Sequence, residues 1–370
     1  MSRLFMYSNV LFEAGGLNKL PEEISRQGLA RPLFVTDPGL SALGLTQRCI
    51  DLCPGLTVYD QTPENPTEAA VKEAVELYKA SGCDGVVALG GGSSMDLGKA
   101  ICLLVSHDGE LADYDLTGPN PISVGPVPPL LVIPTTSGTG TEVAMGCVIS
   151  LDNDHKTIID SENLIPSGVI CDPELTLSLP SRLTAATGID ALSHCIEGYC
   201  SNIANPLTES IALDGVRRIA GAIERAVNEP QSIEARSDMM IGSLQGGLAM
   251  TMELGAAHAM SVPLGAYFHE HHGELTGAVL GSAMQFNEPI QKETMANVRH
   301  ALGVSADVDL REWMNGLCER LGLRTRLSQM GVTEESLPTI AGEAAGSFLD
   351  AFNARQGTEE EYLAMLKAQF

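Results

Sequence analysis

The chain changes its apolar pattern once, near residue 180, and that change calls for two different kinds of packing in one molecule. Before that point, short apolar runs alternate with helical stretches. Pro32–Thr36, Leu56–Tyr59, Gly85–Leu89, Leu130–Ile133 and Gly168–Cys171 predict strands, with helices over Thr67–Ala80 and Ser93–Val105. Alternation of this kind builds a mostly parallel sheet covered by helices. After Pro180 the strand signal stops. Leu207–Val227, Ile233–Met252 and Leu310–Leu321 are rich in Ala, Leu, Met and Glu and predict a helical bundle. The turn and cap signals of Pro173–Leu183 set the boundary, giving an α/β domain over 1–180 and an all-α domain over 181–370.

Composition fits two buried cores. The 370 residues exceed what one small core needs, and 44% of them are apolar. No apolar run reaches the roughly 18 residues of a membrane span. The opening MSRLFMYSNVLFEAGG lacks the long apolar stretch of a secretory leader. The nine cysteines form no CxxC pair, which suits reduced thiols and a cytoplasmic location. A net charge of −25 opposes nucleic acid and anionic membranes as partners.

Two loops of the first half have the character of a nucleotide site. Gly85–Leu89 runs into Gly90-Gly91-Gly92-Ser93-Ser94 and then a helix, so unpaired N–H groups and the helix dipole face one point. That suits a pyrophosphate, and also reads as a tight strand-to-helix turn. The segment is not a G-x-G-x-x-G fingerprint, because Met95 stands at the third small position and the strand is a late one. The loop Pro134-Thr135-Thr136-Ser137-Gly138-Thr139-Gly140-Thr141-Glu142 also follows an apolar run, where open α/β sheets receive ligands. Asp37, at the end of Pro32–Thr36, suits a ribose 2′-hydroxyl and disfavours a 2′-phosphate, while Asp37-Pro38 equally reads as a helix cap.

The second half holds a candidate metal set. Asp190 and His194 stand at i and i+4, hence on one helix face, within mostly small apolar neighbours. His258 follows in Gly255-Ala256-Ala257-His258, and Pro263-Leu264-Gly265 then predicts a helix stop. After it comes His269-Glu270-His271-His272-Gly273, so that five of the eight histidines lie between 194 and 272. One carboxylate with imidazoles suits Fe²⁺ or Zn²⁺, and the lack of a cysteine set argues against a structural zinc.

Together, GGGSSMDLGKA (90–100), PTTSGTGTE (134–142), DPELTLSLP (172–180), TGIDALSHCIEGY (187–199) and GAAHAMSVPLGAYFHEHHG (255–273) resemble the iron-containing (group III) alcohol dehydrogenase family. The resemblance implies a dehydroquinate synthase-like fold, with a dinucleotide-binding α/β domain, a helical domain and an active site in the cleft between them. It implies metal ligands Asp190, His194, His258 and His272, and NAD contacts at Asp37, Asn65, Gly91, Gly92, Ser93, Thr135, Thr136, Thr139 and Lys156. A homodimer is likewise implied. Two positions depart from the family pattern. Val262 replaces a histidine found in many members, and His271 replaces a proline, so that His269 and His271 compete with His272 for the metal; spacing and the following Gly273 favour His272.

The expected reaction is metal-dependent hydride transfer between NAD(H) and a small alcohol or aldehyde, with His269 relaying the proton. No Lys or Arg occurs between Ala185 and Val216 or between Ser237 and Gln291, so the expected substrate is neutral. The competing readings are a metal-free maleylacetate-type reductase, a lyase of the dehydroquinate synthase type and a non-enzymatic nucleotide-binding protein. The intact Asp/His set argues against the first and last, and the missing cations against the second.

Overall fold

The computed structural model describes residues 8–152 and 155–370. The opening residues 1–7, part of the stretch in which no leader was read, lie outside them. Two compact units emerge: one ends its first segment at Thr136 and resumes over Thr141–Thr176, and the other holds Ser137–Gly140 and Leu177–Phe370.

The α/β unit runs β1 (Asn9–Phe12), α1 (Leu20–Arg26), β2 (Leu33–Val35), α2 (Pro38–Ala42), α3 (Leu45–Leu52), β3 (Thr57–Tyr59), α4 (Glu68–Ser81), β4 (Val86–Gly90), α5 (Gly92–Ser106), β5 (Leu130–Pro134), β6 (Gly146–Ser150), β7 (Lys156–Asp160) and β8 (Gly168–Cys171). Six strands form a parallel sheet in the order β1-β8-β5-β4-β2-β3. Every residue of β4, β5 and β8 is buried, which explains why these strands read as unbroken apolar runs. Phe34, Val87, Leu89, Leu131, Ile133 and Ile170 share one apolar cluster with the residues around α1. Local chemistry sets the helix ends: the Thr67 hydroxyl accepts from the Ala70 N–H to start α4, and Gly82 closes it in the left-handed region at φ 61°.

Three strands had no sequence expectation. β1 is a four-residue edge strand, and β6 and β7 form a separate antiparallel hairpin. All three include exposed positions that dilute the apolar signal.

The helical unit comprises α6 (Ser181–Cys200), α7 (Pro206–Asn228), α8 (Ile233–Ala249), α9 (Ala256–Phe268), α10 (His272–Asn287), α11 (Lys292–Leu302), α12 (Leu310–Arg320), α13 (Leu337–Gly346) and α14 (Glu359–Ala368). Asn205 caps α7 through Leu207 and Thr208, with Pro206 in the first turn. One expectation needs correction: Pro263-Leu264-Gly265 does not stop a helix. α9 continues through Pro263 to Phe268 and ends where His269 turns left-handed at φ 53°. An internal proline costs about 3 kcal/mol. Burial of Ala256–Ser261 and Pro263–Gly265 offsets it. No described helix is long and apolar enough to cross a membrane.

Candidate functional site

The sheet reverses its winding between β2 and β4: the chain steps outward from β2 to β3, then returns to place β4 on the other side of β2. Ligands of open α/β sheets bind at the carboxyl ends of strands at such a point. Asp37 follows β2, Gly90-Gly91-Gly92 ends β4, and Thr135 and Thr136 follow β5. The Thr135 N–H donates to the Gly90 carbonyl at 2.9 Å. Gly90 has φ 154°, and a Cβ there would meet Ser94 Oγ at 2.4 Å, so only glycine lets the strand enter the helix this tightly. Gly91 is the N-cap of α5 and provides no side-chain hydrogen bond, which leaves the first N–H groups of α5 for a ligand. The Ser93 hydroxyl donates to the Glu64 carbonyl, tying the exposed turn that carries Asn65 to this loop. Asp37 serves as a helix cap, its Oδ1 accepting from Leu40 N at 2.9 Å. Lys156 is an exposed residue opening β7. Thr139 belongs to the helical unit.

Beneath the loop lies a polar core that sequence reasoning did not single out. Lys99, fully buried on α5, donates to Thr141 Oγ1 (2.8 Å), Ala144 O (2.8 Å) and Gly146 O (2.7 Å). Thr141 Oγ1 donates to Asp96 Oδ1 at 2.6 Å, and Asp96 Oδ2 accepts from Val148 N at 3.0 Å. Two residues three apart on one helix thus hold the whole return from Thr141 into β6. Their signal was on view in GGGSSMDLGKA: two charges within an otherwise apolar helix.

Glu142, next to Thr141, is 1% exposed and its Oε1 has no hydrogen-bond partner. Burial pushes its carboxyl up from 4.5 to about 7, only partly countered by Lys99. The folded chain therefore keeps this proton while the unfolded chain releases it. Stability from this group is full below pH 4.5 and is lost as pH rises to about 7, a change of about 3 kcal/mol. Glu142→Gln should remove that decline and leave the variant the more stable protein on the alkaline side. Urea midpoints at about pH 5 and about pH 8 check this; an identical pH response in both proteins would refute it.

The helical unit gathers the candidate metal ligands. α6 presents Asp190 and His194 from one face, α9 contributes His258 from its first turn, and α10 begins with His272. Three imidazole Nε2 atoms surround a single carboxylate oxygen. His194, His258 and His272 lie 3.7, 3.8 and 3.6 Å from Asp190 Oδ1. The His194 and His258 rings stack at 5.0 Å, and His258 and His272 lie 5.2 Å apart. Gly273 makes the last approach feasible: a Cβ there would lie 2.2 Å from the Ala186 carbonyl of α6. Of the three competing histidines, His272, the one favoured on spacing, lies 3.6 Å from Asp190 Oδ1. His269 is exposed at the end of α9, and His271 is the N-cap of α10.

These residues fit a divalent cation. Asp190 Oδ1 and His258 Nε2 are buried with no hydrogen-bond partner, an arrangement that is costly unless something else satisfies them. Separations of 3.6–3.8 Å are too long for hydrogen bonds. They approach the roughly 3.4 Å between ligand atoms placed about 2.1 Å from one ion. Burial opposes the charge of Asp190, but the imidazoles outweigh it and hold the carboxyl below its ordinary range. Arg324 and Arg182 steady the loop before α10. Arg324 pairs with Glu270 (2.6 Å) and Glu274 (2.8 Å), and Arg182 with Glu274 (2.8 Å). These two guanidinium groups are thereby committed to carboxylates.

A carboxylate missed at the sequence level completes the centre. Glu197 is 5% exposed; its Oε2 pairs with His258 Nδ1, and its Oε1 accepts from Ala257 N at 2.7 Å. Its position seven residues after Asp190 puts it on the same helix face, which was the available signal.

Comparison with known proteins agrees along the whole chain. The model of the family described as iron-containing alcohol dehydrogenase matches residues 8–173, and that of the C-terminal region of the Fe-containing alcohol dehydrogenase family matches 184–370. A 4-hydroxybutyrate dehydrogenase of Cupriavidus necator is 40% identical, over 99% of either chain. The crystal structure of a 1,3-propanediol oxidoreductase superposes with a TM-score of 0.95 at 30% identity, covering 100% of both chains. A sulfoacetaldehyde reductase from Bifidobacterium kashiwanohense, solved with NAD⁺, gives 0.91 at 30% identity over 100% of this chain and 98% of its own.

Proposed function

This chain belongs to the iron-containing alcohol dehydrogenase family, and on that premise we propose that Asp190, His194, His258 and His272 hold a divalent metal, Fe²⁺ ahead of Zn²⁺, for oxidation of a small primary or secondary alcohol or reduction of the corresponding carbonyl compound. The protein is an NAD-dependent alcohol dehydrogenase. The observation that carries the metal assignment is the convergence of three imidazole nitrogens on the unpartnered, buried Asp190 Oδ1. A divalent ion bound there supplies Lewis-acid polarisation of the alcohol or aldehyde oxygen. Bound NAD⁺ would supply the hydride-accepting chemistry, and His269, exposed at the end of α9, would carry the released hydroxyl proton to solvent. The α5 N-terminus, with Gly91, Gly92 and Ser93, holds the pyrophosphate. Asn65, Thr135, Thr136, Thr139 and Lys156 are the further proposed cofactor contacts, and Asp37 favours NAD over NADP at the ribose. We also assign the enzyme to the cytoplasm, as a homodimer.

The committed Arg182 and Arg324 support a neutral substrate. The 40% identical 4-hydroxybutyrate dehydrogenase favours a second reading, an ω-hydroxy acid of about that length. Purified protein loaded with Fe²⁺ or Zn²⁺ should form NADH, in preference to NADPH, from a panel holding 1-butanol, 1,4-butanediol and 4-hydroxybutyrate. Preference for the uncharged pair supports the neutral reading, and preference for the acid replaces it. Protein that binds NADH tightly but takes up no metal and oxidises none of them would overturn the assignment.

A further inference from the structure

We propose that Glu197 is a positioning residue for the metal centre: it fixes the tautomer of His258 so that Nε2 faces Asp190 with its lone pair available. The inference rests on the metal reading above. Along α6, Asp190, His194 and Glu197 recur at spacings of four and three, so one helix face supplies both candidate ligands and the carboxylate behind a third. Glu197 divides its two oxygens between two donors. Oε1 takes the Ala257 N–H at 2.7 Å, and Oε2 faces His258 Nδ1. The backbone N–H can only donate, and an ionised carboxylate can only accept. The proton of neutral His258 therefore sits on Nδ1, and Nε2, 3.8 Å from Asp190 Oδ1, is left as a donor atom for a cation. The pair is buried, with side chains 3% and 5% exposed, so water does not replace either contact. The same carboxylate also anchors the start of α9, whose N-cap Gly255 offers no side-chain cap. It thereby fixes both the ring and the backbone that carries it.

This division makes Glu197→Gln a sharp test despite its near-identical shape. Glutamine has one acceptor oxygen for two donors. If that oxygen serves Ala257, the amide NH₂ faces Nδ1 and drives the imidazole proton onto Nε2, toward the metal. If it serves His258, the NH₂ opposes the Ala257 N–H. Glu197→Asp keeps two acceptor oxygens. Zn²⁺ affinity would be measured by chelator competition on full-length wild type and both variants, with melting of each metal-free protein. E197Q should bind Zn²⁺ about 10–100-fold more weakly than wild type. E197D should recover part of that loss, and the visible spectrum of Co²⁺-loaded E197Q should differ from wild type. Equal loss in both variants, or E197Q binding within about twofold of wild type, overturns the proposal. Histidine-labelled NMR of metal-free wild type in alkaline buffer decides the matter even if E197Q does not fold. An Nδ1–H tautomer at His258 supports the proposal, and an Nε2–H tautomer overturns it. Wild type that binds no Zn²⁺ would instead bring down the metal reading itself, a separate and recognisable failure.

Discussion

Asp190→Asn should bind less than a tenth of the wild-type metal under matched loading and lose at least about 10³-fold in kcat/KM, roughly 4 kcal/mol of transition-state stabilisation. The substitution keeps the shape of the side chain and removes its charge. Asp190 Oδ1 is the atom on which His194, His258 and His272 converge. It is also the only carboxylate in the proposed ligand set, so its loss leaves neutral imidazoles alone to balance a dication. NADH binding, which the α/β unit would supply, should change little, and the fold should survive because Asp190 Oδ1 has no hydrogen bond to lose. Metal analysis, NADH titration and steady-state rates on one preparation measure all three. A variant that keeps stoichiometric metal and activity within tenfold would show that the cluster is not the centre.

Lys99→Met should be the most damaging single change in the α/β unit, costing about 3–5 kcal/mol. Methionine fills a similar volume but abandons Thr141 Oγ1, Ala144 O and Gly146 O, and leaves the buried carboxyl of Asp96 without its cation. Burial pushes the Lys99 amine down and the Asp96 carboxyl up, each opposes the other's shift only in part, and Thr141 Oγ1 bridges the two. Denaturant unfolding followed by probes in that unit gives the measurement. A loss under about 1 kcal/mol would mean that the return from Thr141 to β6 is held by other contacts.

The sequence carried the large elements because their signals are redundant. The five strand expectations each landed on a strand of the parallel sheet; four of those strands are fully buried and leave an uninterrupted apolar run, and the edge strand β3 is partly buried. Helices α4 and α7 were expected from their apolar and helix-forming stretches, and the structure adds Thr67 and Asn205 as their caps. Failures came where tertiary context outweighs local rule. Pro263 looked like a stop, but the buried face of α9 carries the helix through it. The hairpin of β6 and β7 has exposed positions in both strands, which interrupt the apolar run that marks a buried strand. Asp190 and His194 could be paired from spacing alone, because a helix brings i and i+4 together. His272 was preferred over His269 and His271 on spacing and on Gly273, and the structure gives Gly273 a physical role: it lets α10 approach α6. Glu197 and Lys99 stayed hidden for a related reason: a charge in an apolar helix shows that it needs a partner without showing where the partner lies.

The proposed ligands come from three separate helices: two from the middle of α6, one from the first turn of α9 and one from the first residue of α10. An ion held there acts as a cross-link between segments up to 82 positions apart in the chain, counting from Asp190 to His272. Heat resistance of the helical unit would then follow the logarithm of metal supply, rising by about 1.4 kcal/mol for each tenfold excess over the dissociation constant. A cell short of metal would hold not merely an idle enzyme but a more perishable one, exposed sooner to proteolysis. Turnover of the protein would thus track the availability of its metal without any dedicated sensor.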